Sequence, residues 1–281
     1  MGDSRRRLAV IGGGAMAEAI VLGGVRSGIL SASEVGVSDP TESRRSLFAE
    51  HGVVTFEPGS DIVTWANAGG LAQVMLAVKP QMLGRVVEDV GSLMRSAPRL
   101  VVVSILAGTP ISSLASSFGA GHAYVRLMPN TPAQVSRGLT AMSFAPDVAP
   151  EEADLTRRLF AALGDIFELD EPMIDAFTSV AGSGPAYVFY LVEALTRAAL
   201  DVGFDAMSAR RLAEGTVIGS TSLLEASDED APTLRARVTS KGGTTAAAIE
   251  TFDRGDVMGV IGRAVVAARD RGRELGRLSD G

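Results

Sequence analysis

The sequence predicts an α/β domain built on a parallel sheet, followed by an all-helical domain. Over roughly the first 170 residues, short β-branched runs alternate with helix-like stretches; the runs are at 8–11, 34–38, 74–78, 100–105 and 123–128. Such a pattern is typical of parallel strands covered on both faces. Further on, long segments rich in alanine and leucine at 186–203 and 208–226 predict helices. We therefore expect one domain at 1–171 and a second at 172–281.

Composition and charge exclude several classes of function. The chain has 281 residues, 46% of them hydrophobic, which is enough for a sizeable core. A formal net charge of -7 disfavours nucleic-acid binding, and no apolar run is long enough to cross a bilayer. The absence of cysteine and the presence of only two histidines disfavour thiolate catalysis, metal sites and a Ser-His-Asp triad. With no secretory signal at the amino terminus, we expect a cytoplasmic protein.

A glycine-rich turn follows the first predicted strand and opens a helix. Gly12, Gly14 and Ala17 match the G-x-G-x-x-G/A pattern of dinucleotide-binding Rossmann domains. The first glycine permits the tight turn, the second lets the backbone approach a pyrophosphate, and the alanine allows close packing of helix on strand. Backbone N–H groups of Ala15 and Met16, at the start of the helix, would face the anion.

The end of the second predicted strand bears on the choice of dinucleotide. Asp39 follows this strand and can accept a hydrogen bond from a ribose 2′-hydroxyl, as in NAD enzymes. Arg44 and Arg45 follow shortly after and can instead pair with a 2′-phosphate, as in NADP enzymes. The residues alone leave NAD and NADP as open alternatives.

Two further loops follow predicted strands. In AVKP (77–80), a rigid turn at Pro80 presents the ammonium of Lys79, and in MPNTP (128–132) two prolines bracket Asn130 and Thr131. Either loop can be a plain structural turn, but the carboxyl ends of parallel strands share one edge of the sheet, where ligands bind. We expect the dinucleotide to contact Ile11, Gly12, Gly14, Ala15, Met16, Asp39, Ala77, Val78, Lys79 and Pro80.

The second domain carries a second unusual helix start, SKGGTT at 240–245. Glycines before a helix allow close approach of an anion to the free N–H groups, which indicates a carboxylate site. Alternatively, Thr244 or Thr245 caps the alanine-rich helix that follows. The helix predicted at 186–203 is apolar on nearly every face, which suggests burial with the help of a second subunit.

Five motifs in this order resemble the pyrroline-5-carboxylate reductase family: IGGGAMAEAI, AVKP, MPNTP, GSGPAY (182–187) and VTSKGGTTAAAIE. The resemblance implies a Rossmann domain followed by a helical dimerisation domain, which assembles as a homodimer or a ring of dimers. It also implies that Gly243 and Thr244 hold the substrate carboxylate, and that the Thr245 hydroxyl meets the ring nitrogen as the catalytic group. Lys241 departs from the family's usual proline, which puts the tightness of substrate binding in question.

The expected reaction is therefore reduction of 1-pyrroline-5-carboxylate to L-proline, the last step of proline biosynthesis, with NADPH or NADH as hydride donor. Two alternatives stay open. One is a reductase of another cyclic imino acid, such as a piperideine carboxylate, since one methylene group is worth only about 1–3 kcal/mol of discrimination. The other is a non-catalytic, NADP-sensing oligomer, which would not need the Gly-Gly-Thr-Thr loop.

Overall fold

The computed structural model describes residues 6–68 and 73–279, without the side chains of residues 275 and 277–279. Contacts divide the chain into two compact units. The first contains the residues up to Gly182 together with the C-terminal segment from Ala268, and the second is Ser183–Ala267. The boundary between the two units, after Gly182, thus lies later in the chain than the boundary at 171 expected from the sequence. Nothing in the local sequence indicates that the C-terminal segment belongs to the first unit.

The first unit alternates strands and helices, as the sequence predicts. Its strands are β1 (Leu8–Ile11), β2 (Val35–Ser38), β3 (Val54–Phe56), β4 (Gln73–Leu76), β5 (Val101–Ser104), β6 (Ala123–Pro129), β7 (Gly138–Phe144) and β8 (Gly164–Glu168). Its helices are α1 (Ala15–Arg26), α2 (Glu42–Glu50), α3 (Gly59–Ala68), α4 (Leu83–Ser96), α5 (Ile111–Phe118), α6 (Pro150–Ala161) and the short α7 (Ile174–Phe177). All five strand-like runs of the sequence are strands.

The sheet has the order β3-β2-β1-β4-β5-β6-β7-β8. Its first six strands follow the arrangement of a dinucleotide-binding Rossmann domain, in which the strand order reverses between β1 and β4. The five strands that the sequence predicts, β1, β2, β4, β5 and β6, pair in parallel, which confirms the expected parallel sheet. The sequence carried no signal for β7, which pairs with β6 in the antiparallel direction. The connection between these two strands contains only a 3₁₀ turn (Thr131–Val135), which is too short for the crossover that a parallel pair requires.

Both faces of the sheet are buried, as continuous apolar strands require. Along β1, Leu8 and Val10 belong to a core cluster with residues of α1, α2 and α6, such as Ile20 and Phe160. The alternate residues Ala9 and Ile11 belong to the cluster on the opposite face, formed with α3, α4 and α5. Helices therefore cover both faces, and the strand ends remain the accessible part of the sheet.

The remaining described residues form helices joined by short loops and no strand, which confirms the prediction for the second domain. The helices are α8 (Gly184–Asp201), α9 (Ala206–Glu225), α10 (Ala231–Arg237), α11 (Thr244–Arg254) and α12 (Val257–Ser279), whose last residues belong to the first unit. Helix α9 begins with a cap at Asp205, whose carboxylate accepts hydrogen bonds from Met207 N and from the N–H and hydroxyl of Ser208. These bonds, above all that from the Ser208 hydroxyl, lower the pKa of Asp205.

Large apolar side chains on the helices of the second unit are exposed in the single chain. On α8, Phe189 and Tyr190 are 68% and 75% exposed, and on α12, Met258 is 67% exposed. Exposed apolar patches on a protein surface mark interaction sites, so these side chains indicate a surface that another protein covers. Among the described residues, none of these helices combines the length and the hydropathy needed to cross a membrane.

Candidate active site

Three segments leave the sheet at the same level. They are the glycine turn after β1, the residues from Asp39 after β2 and the AVKP loop after β4. Ile11, the last residue of β1, pairs with Ser38 of β2 on one side and with Leu76 of β4 on the other. The next residue of each strand therefore lies at one edge, where the strand order reverses. This is the position at which open α/β sheets bind ligands.

Gly12 closes the turn against the neighbouring loop. Its φ is +102°, a backbone conformation that side chains rarely permit, and an added Cβ would lie 2.7 Å from the carbonyl oxygen of Ala77. Gly14, by contrast, has φ of −68° and open space where a Cβ would project. It is the N-cap of α1 and makes no side-chain capping bond. The first N–H groups of α1, at Ala15 and Met16, thus face a space that a ligand can fill.

The Asp39 carboxylate, just after β2, holds the glycine turn that follows β1. Its Oδ2 accepts a hydrogen bond from the backbone N–H of Gly13 at 2.8 Å, and its Oδ1 accepts one from Thr41 N at 2.8 Å. One lone pair on each oxygen therefore already has a partner before any ligand binds. The sequence singled out Asp39 for a ribose hydroxyl, but it carried no signal that Gly13, between the two motif glycines, would be a partner of this carboxylate.

Two guanidinium groups lie at the glycine turn and the exit of β2. Arg44 donates from Nε to the carbonyl oxygen of Gly13 at 2.6 Å and pairs with Glu18 of α1 at 2.7 Å. Arg45 donates to the carbonyl oxygens of Asp39 and Pro40 and lies 3.4 Å from a carboxylate oxygen of Glu57. Arg44 and Arg45, which the sequence offered as partners of a 2′-phosphate, are thus both at the exit of β2. Each already contacts at least one backbone carbonyl oxygen and one glutamate. The Glu18 contact was not foreseen.

The Lys79 side chain is exposed at the end of the loop after β4. Lys79 is the N-cap of a 3₁₀ turn that begins with Pro80, so the proline fixes the direction in which the loop leaves the sheet. Ala77 N donates to the carbonyl oxygen of Ile11 at 2.8 Å, which holds the AVKP loop against β1. Val78 lies against the glycine turn, since a Cβ on Gly12 would be 2.9 Å from Val78 Cγ1.

The loop before α11, in the second unit, is a tight β-turn. Gly243 N donates to the carbonyl oxygen of Ser240 at 3.0 Å, and Gly242 has φ of +75°. Lys241 is not among the residues with positive φ in the described chain, so the turn matches type II, in which proline is favoured at the second position. Lys241 occupies that position. An exposed lysine therefore stands where this turn geometry accommodates proline.

Neither threonine caps α11, so the capping alternative was wrong. The helix begins at Thr244, its N-cap is Gly243, and no side chain makes a capping bond. The hydroxyls of Thr244 and Thr245 are consequently not used for the first N–H groups. Both helices that follow a glycine-rich loop, α1 and α11, thus start without a side-chain cap, as an anion site at each helix start requires.

The GSGPAY segment has two structural roles that the sequence only partly indicated. Pro185 lies in the first turn of α8, as expected for proline at a helix start. A Cβ on Gly182 would lie 3.3 Å from Met128 Cε, so this glycine allows close packing within the first unit. Among the described residues, no group of three or more histidine, aspartate or glutamate side chains is arranged to hold a metal ion.

Two family models match the chain. Residues 7–108 match the model described as NADP oxidoreductase coenzyme F420-dependent, and residues 171–275 match the model for pyrroline-5-carboxylate reductase dimerisation. The first match covers the glycine turn and its neighbouring strands. The second covers the helical part of the chain, including the GSGPAY segment and the 240–245 loop.

Full-length relatives and solved structures agree with these matches. A pyrroline-5-carboxylate reductase from Synechocystis is 36% identical over 96% of this chain and 98% of its own length. The structure of one from Coxiella burnetii is 30% identical, covers 96% of this chain and 98% of the other, and has a TM-score of 0.84. The Plasmodium falciparum pyrroline carboxylate reductase with NADP bound, 24% identical over 98% and 100% of the two chains, shares the fold with a TM-score of 0.84. The chain belongs to the pyrroline-5-carboxylate reductase family.

Proposed function

We propose that this chain reduces 1-pyrroline-5-carboxylate to L-proline with NADPH as the hydride donor, the last step of proline biosynthesis. Membership of the family, at 36% identity over 96% of the chain, is the observation that carries the proposal. The geometry agrees with it, because the chain has two helix starts open to anions, one for a pyrophosphate and one for a carboxylate.

The residues at the exits of β1, β2 and β4 fit a dinucleotide. Open space over Gly14 and the uncapped start of α1 leave room for the pyrophosphate, with Ala15 and Met16 donating from the backbone. We assign the remaining contacts to residues at the same strand ends, namely Ile11, Gly12, Asp39, Ala77, Val78, Lys79 and Pro80. Of these, Lys79 supplies positive charge on the cofactor side, since its side chain is exposed beside the loop.

NADPH is the preferred donor in this proposal because of the two arginines at the exit of β2. Arg44 and Arg45 hold backbone carbonyl oxygens, contacts that a 2′-phosphate can replace with stronger charge-assisted bonds. The match to an NADP oxidoreductase model agrees with this choice. Asp39 retains acceptor capacity for a ribose hydroxyl, so NADH is the second donor to test.

The loop at 240–245 is the proposed substrate site. The N–H of Gly243 already donates to Ser240 within the turn. We therefore assign the substrate carboxylate to Gly243 and Thr244 with the N–H of Thr244 as the donor, while Gly243, which lacks a side chain, allows the close approach. The hydroxyl of Thr245, which is not used as a cap, is assigned to the ring nitrogen. An alkyl hydroxyl is a weak acid, so the role of Thr245 is to orient the imine, with relay of the nitrogen's proton as a lesser part.

The chemistry requires little from the protein beyond position and shielding. The bound dinucleotide supplies a hydride. The reaction adds that hydride to the imine carbon and leaves a proton on the ring nitrogen, so that the C=N double bond becomes the C–N bond of proline. The chain's own residues hold the carboxylate, orient the nitrogen and exclude water, and none of these roles needs a cysteine, of which the sequence has none.

We further propose that the protein is a cytoplasmic homodimer, with a ring of dimers as the larger assembly. The exposed apolar side chains of α8, α9 and α12 support self-association, since a second copy would remove them from water. The proposed division into a dinucleotide domain at 1–171 and a substrate and dimerisation domain at 172–281 follows the two family matches. We expect neither nucleic acid nor a membrane as a partner.

An activity assay tests this function directly. Loss of reduced-nicotinamide absorbance is followed with pyrroline-5-carboxylate and with the six-membered piperideine carboxylate, each with NADPH and with NADH. Rapid oxidation with the five-membered imine supports the proposal, and faster oxidation with the six-membered imine would reassign the substrate. Tight cofactor binding without turnover on either imine would favour the sensor alternative.

Replacing Lys241 with proline is expected to lower KM for the imine by about two- to fivefold. Proline fits the second position of a type II turn and removes conformational freedom from the free loop, an effect of about 0.4–1 kcal/mol. The matched variant Lys241→Gln is expected to leave KM within about twofold, because the ammonium is exposed to solvent. A large rise of KM in Lys241→Gln would instead assign the ammonium to the carboxylate. Steady-state kinetics at saturating NADPH measure both.

A further inference from the structure

The helix that leads out of the first unit contains a π-helical segment, Thr178–Gly182, between α7 and α8. A π-segment inserts a residue into the helix and leaves backbone groups without their usual partners, and such segments are frequent at functional sites. Here, nearby hydroxyl groups donate hydrogen bonds to backbone carbonyl groups next to the segment. The Thr178 hydroxyl donates to the carbonyl oxygen of Ile174 at 2.6 Å, and the Ser179 hydroxyl donates to that of Ala176 at 2.8 Å.

Another partner of this π-segment comes from the sheet. Asn130, in the MPNTP loop at the end of β6, is only 5% exposed. Its Nδ2 donates to the carbonyl oxygen of Ala181 at 3.0 Å, and its Oδ1 accepts from Leu139 N of β7 at 2.8 Å. One carboxamide therefore connects β6, β7 and the π-segment. Because both atoms have a protein partner in a buried place, Asn130 is poorly suited to be a dinucleotide ligand.

The beginning of the same connecting stretch is also tied to β6. Arg126 lies four residues before Asn130, its side chain is 7% exposed, and it contacts Glu171 at 3.2 Å and Asp175 at 3.5 Å. Glu171 also accepts a hydrogen bond from Ile111 N at 2.7 Å. The Arg126 guanidinium is buried and both carboxylates are only partly exposed, so losing either carboxylate would leave the buried cation with fewer partners. The stretch from 171 to 181 is thus fastened to β6 at both ends.

We propose that Asn130 is a positioning residue for the imine reduction, which it serves by holding the π-segment through Ala181. This inference rests on the proposed reductase function. The π-segment ends at Gly182, and the next residue, Ser183, begins the unit that carries the substrate loop. Holding the π-segment therefore fixes the last residues of the first unit, from which the chain enters the unit with the substrate loop. The expected consequence of losing the contact is a poorer placement of the imine with no change in cofactor binding.

The test compares Asn130→Asp with wild type. Aspartate keeps the acceptor for Leu139 N but replaces the donor to Ala181 with a carboxylate oxygen. We expect kcat/KM for the imine to fall at least about tenfold, since small displacements of reacting groups have effects of this size. The dissociation constant of NADP⁺, measured by calorimetry, should stay within about twofold. Hydrogen exchange of the peptide covering 178–186 should become about tenfold faster.

Two further variants make the result specific. Val135→Ala, at the end of the 3₁₀ turn that follows Asn130 and 72% exposed, is the matched control and should leave all three quantities unchanged. Asn130→Ala, which loses both hydrogen bonds, replaces Asn130→Asp if the buried carboxylate unfolds the chain, and should show the same pattern.

Three outcomes would overturn the inference. A rise of about tenfold in the NADP⁺ dissociation constant would make Asn130 a cofactor ligand. A lower thermal midpoint with unchanged kinetics would make it a structural residue only. Unchanged exchange at 178–186 would break the link to the π-segment. If the wild type does not reduce the imine, the proposed function fails, and exchange and NADP⁺ binding still decide whether Asn130 holds the π-segment without contacting the cofactor.

Discussion

Replacing Gly12 with alanine is expected to abolish NADP⁺ binding and to destabilise the first unit. A Cβ at this position would lie 2.7 Å from Ala77 O and 2.8 Å from Ala77 C, atoms of a backbone that is held to β1. The φ of +102° adds conformational strain for any side chain. Strain and overpacking together cost about 2–5 kcal/mol, a large part of the stability of an ordinary domain. Thermal unfolding and calorimetric titration with NADP⁺ measure the two effects.

Variants of Gly14 and Gly28 separate the cost of a positive φ from the loss of NADP⁺ binding. Gly28 has φ of +72° with open space around the Cβ position, so Gly28→Ala should cost about 1–2 kcal/mol without changing NADP⁺ affinity. Gly14 has an ordinary φ and equally open space, so Gly14→Ala should leave the free chain's stability within about 0.5 kcal/mol. Its methyl group would occupy the space assigned to the pyrophosphate and should weaken NADP⁺ binding at least about tenfold. Wild-type affinity in Gly14→Ala would remove the pyrophosphate from this turn.

The fold could be predicted from the sequence where the signal is local. Strands such as β1 and β5 are continuous apolar runs, and their burial on both faces follows from the helices around them. The antiparallel β7 was missed because a strand's direction depends on the length of its connection, which the apolar pattern of GLTAMSF does not encode. The π-segment at 178–182 was missed for a similar reason, since one partner of its carbonyl groups, Asn130, lies far away in the sequence.

In the candidate site too, features with a local sequence signal could be predicted, and contacts between residues far apart in the sequence could not. Glycine spacing identified Gly12, where the positive φ and the close approach of Ala77 require glycine, and Gly14, where the missing side chain leaves the open space assigned to the pyrophosphate. The partners of Asp39 could not be predicted, because the contact with Gly13 depends on the pairing of β1 with β2. For α11, both an anion site and a threonine cap suited the residues. The backbone of the 240–245 turn excluded the cap by placing Gly243 at that position.

Replacing Thr245 with alanine is expected to lower kcat/KM for pyrroline-5-carboxylate by about 10²–10³-fold, with NADP⁺ affinity unchanged. The hydroxyl is available for the ring nitrogen because Gly243, rather than either threonine, is the N-cap of α11. Its loss removes the group that orients the imine nitrogen, and single hydrogen-bonding groups at reacting atoms have effects of this size. Steady-state kinetics with the five- and six-membered imines, and calorimetry with NADP⁺, measure the change.

Two matched variants decide which atom of the loop is responsible. Thr245→Ser keeps the hydroxyl and should recover most of the activity, whereas Thr244→Ala should lose little, because the role assigned to Thr244 uses its backbone N–H. The ratio of rates for the two imines should not change in Thr245→Ala, since both rings present the same nitrogen and differ by a methylene group elsewhere. Equal losses in Thr244→Ala and Thr245→Ala would indicate that the turn itself has been disturbed. A loss confined to Thr245→Ala, with recovery in Thr245→Ser, would assign the contact to that hydroxyl.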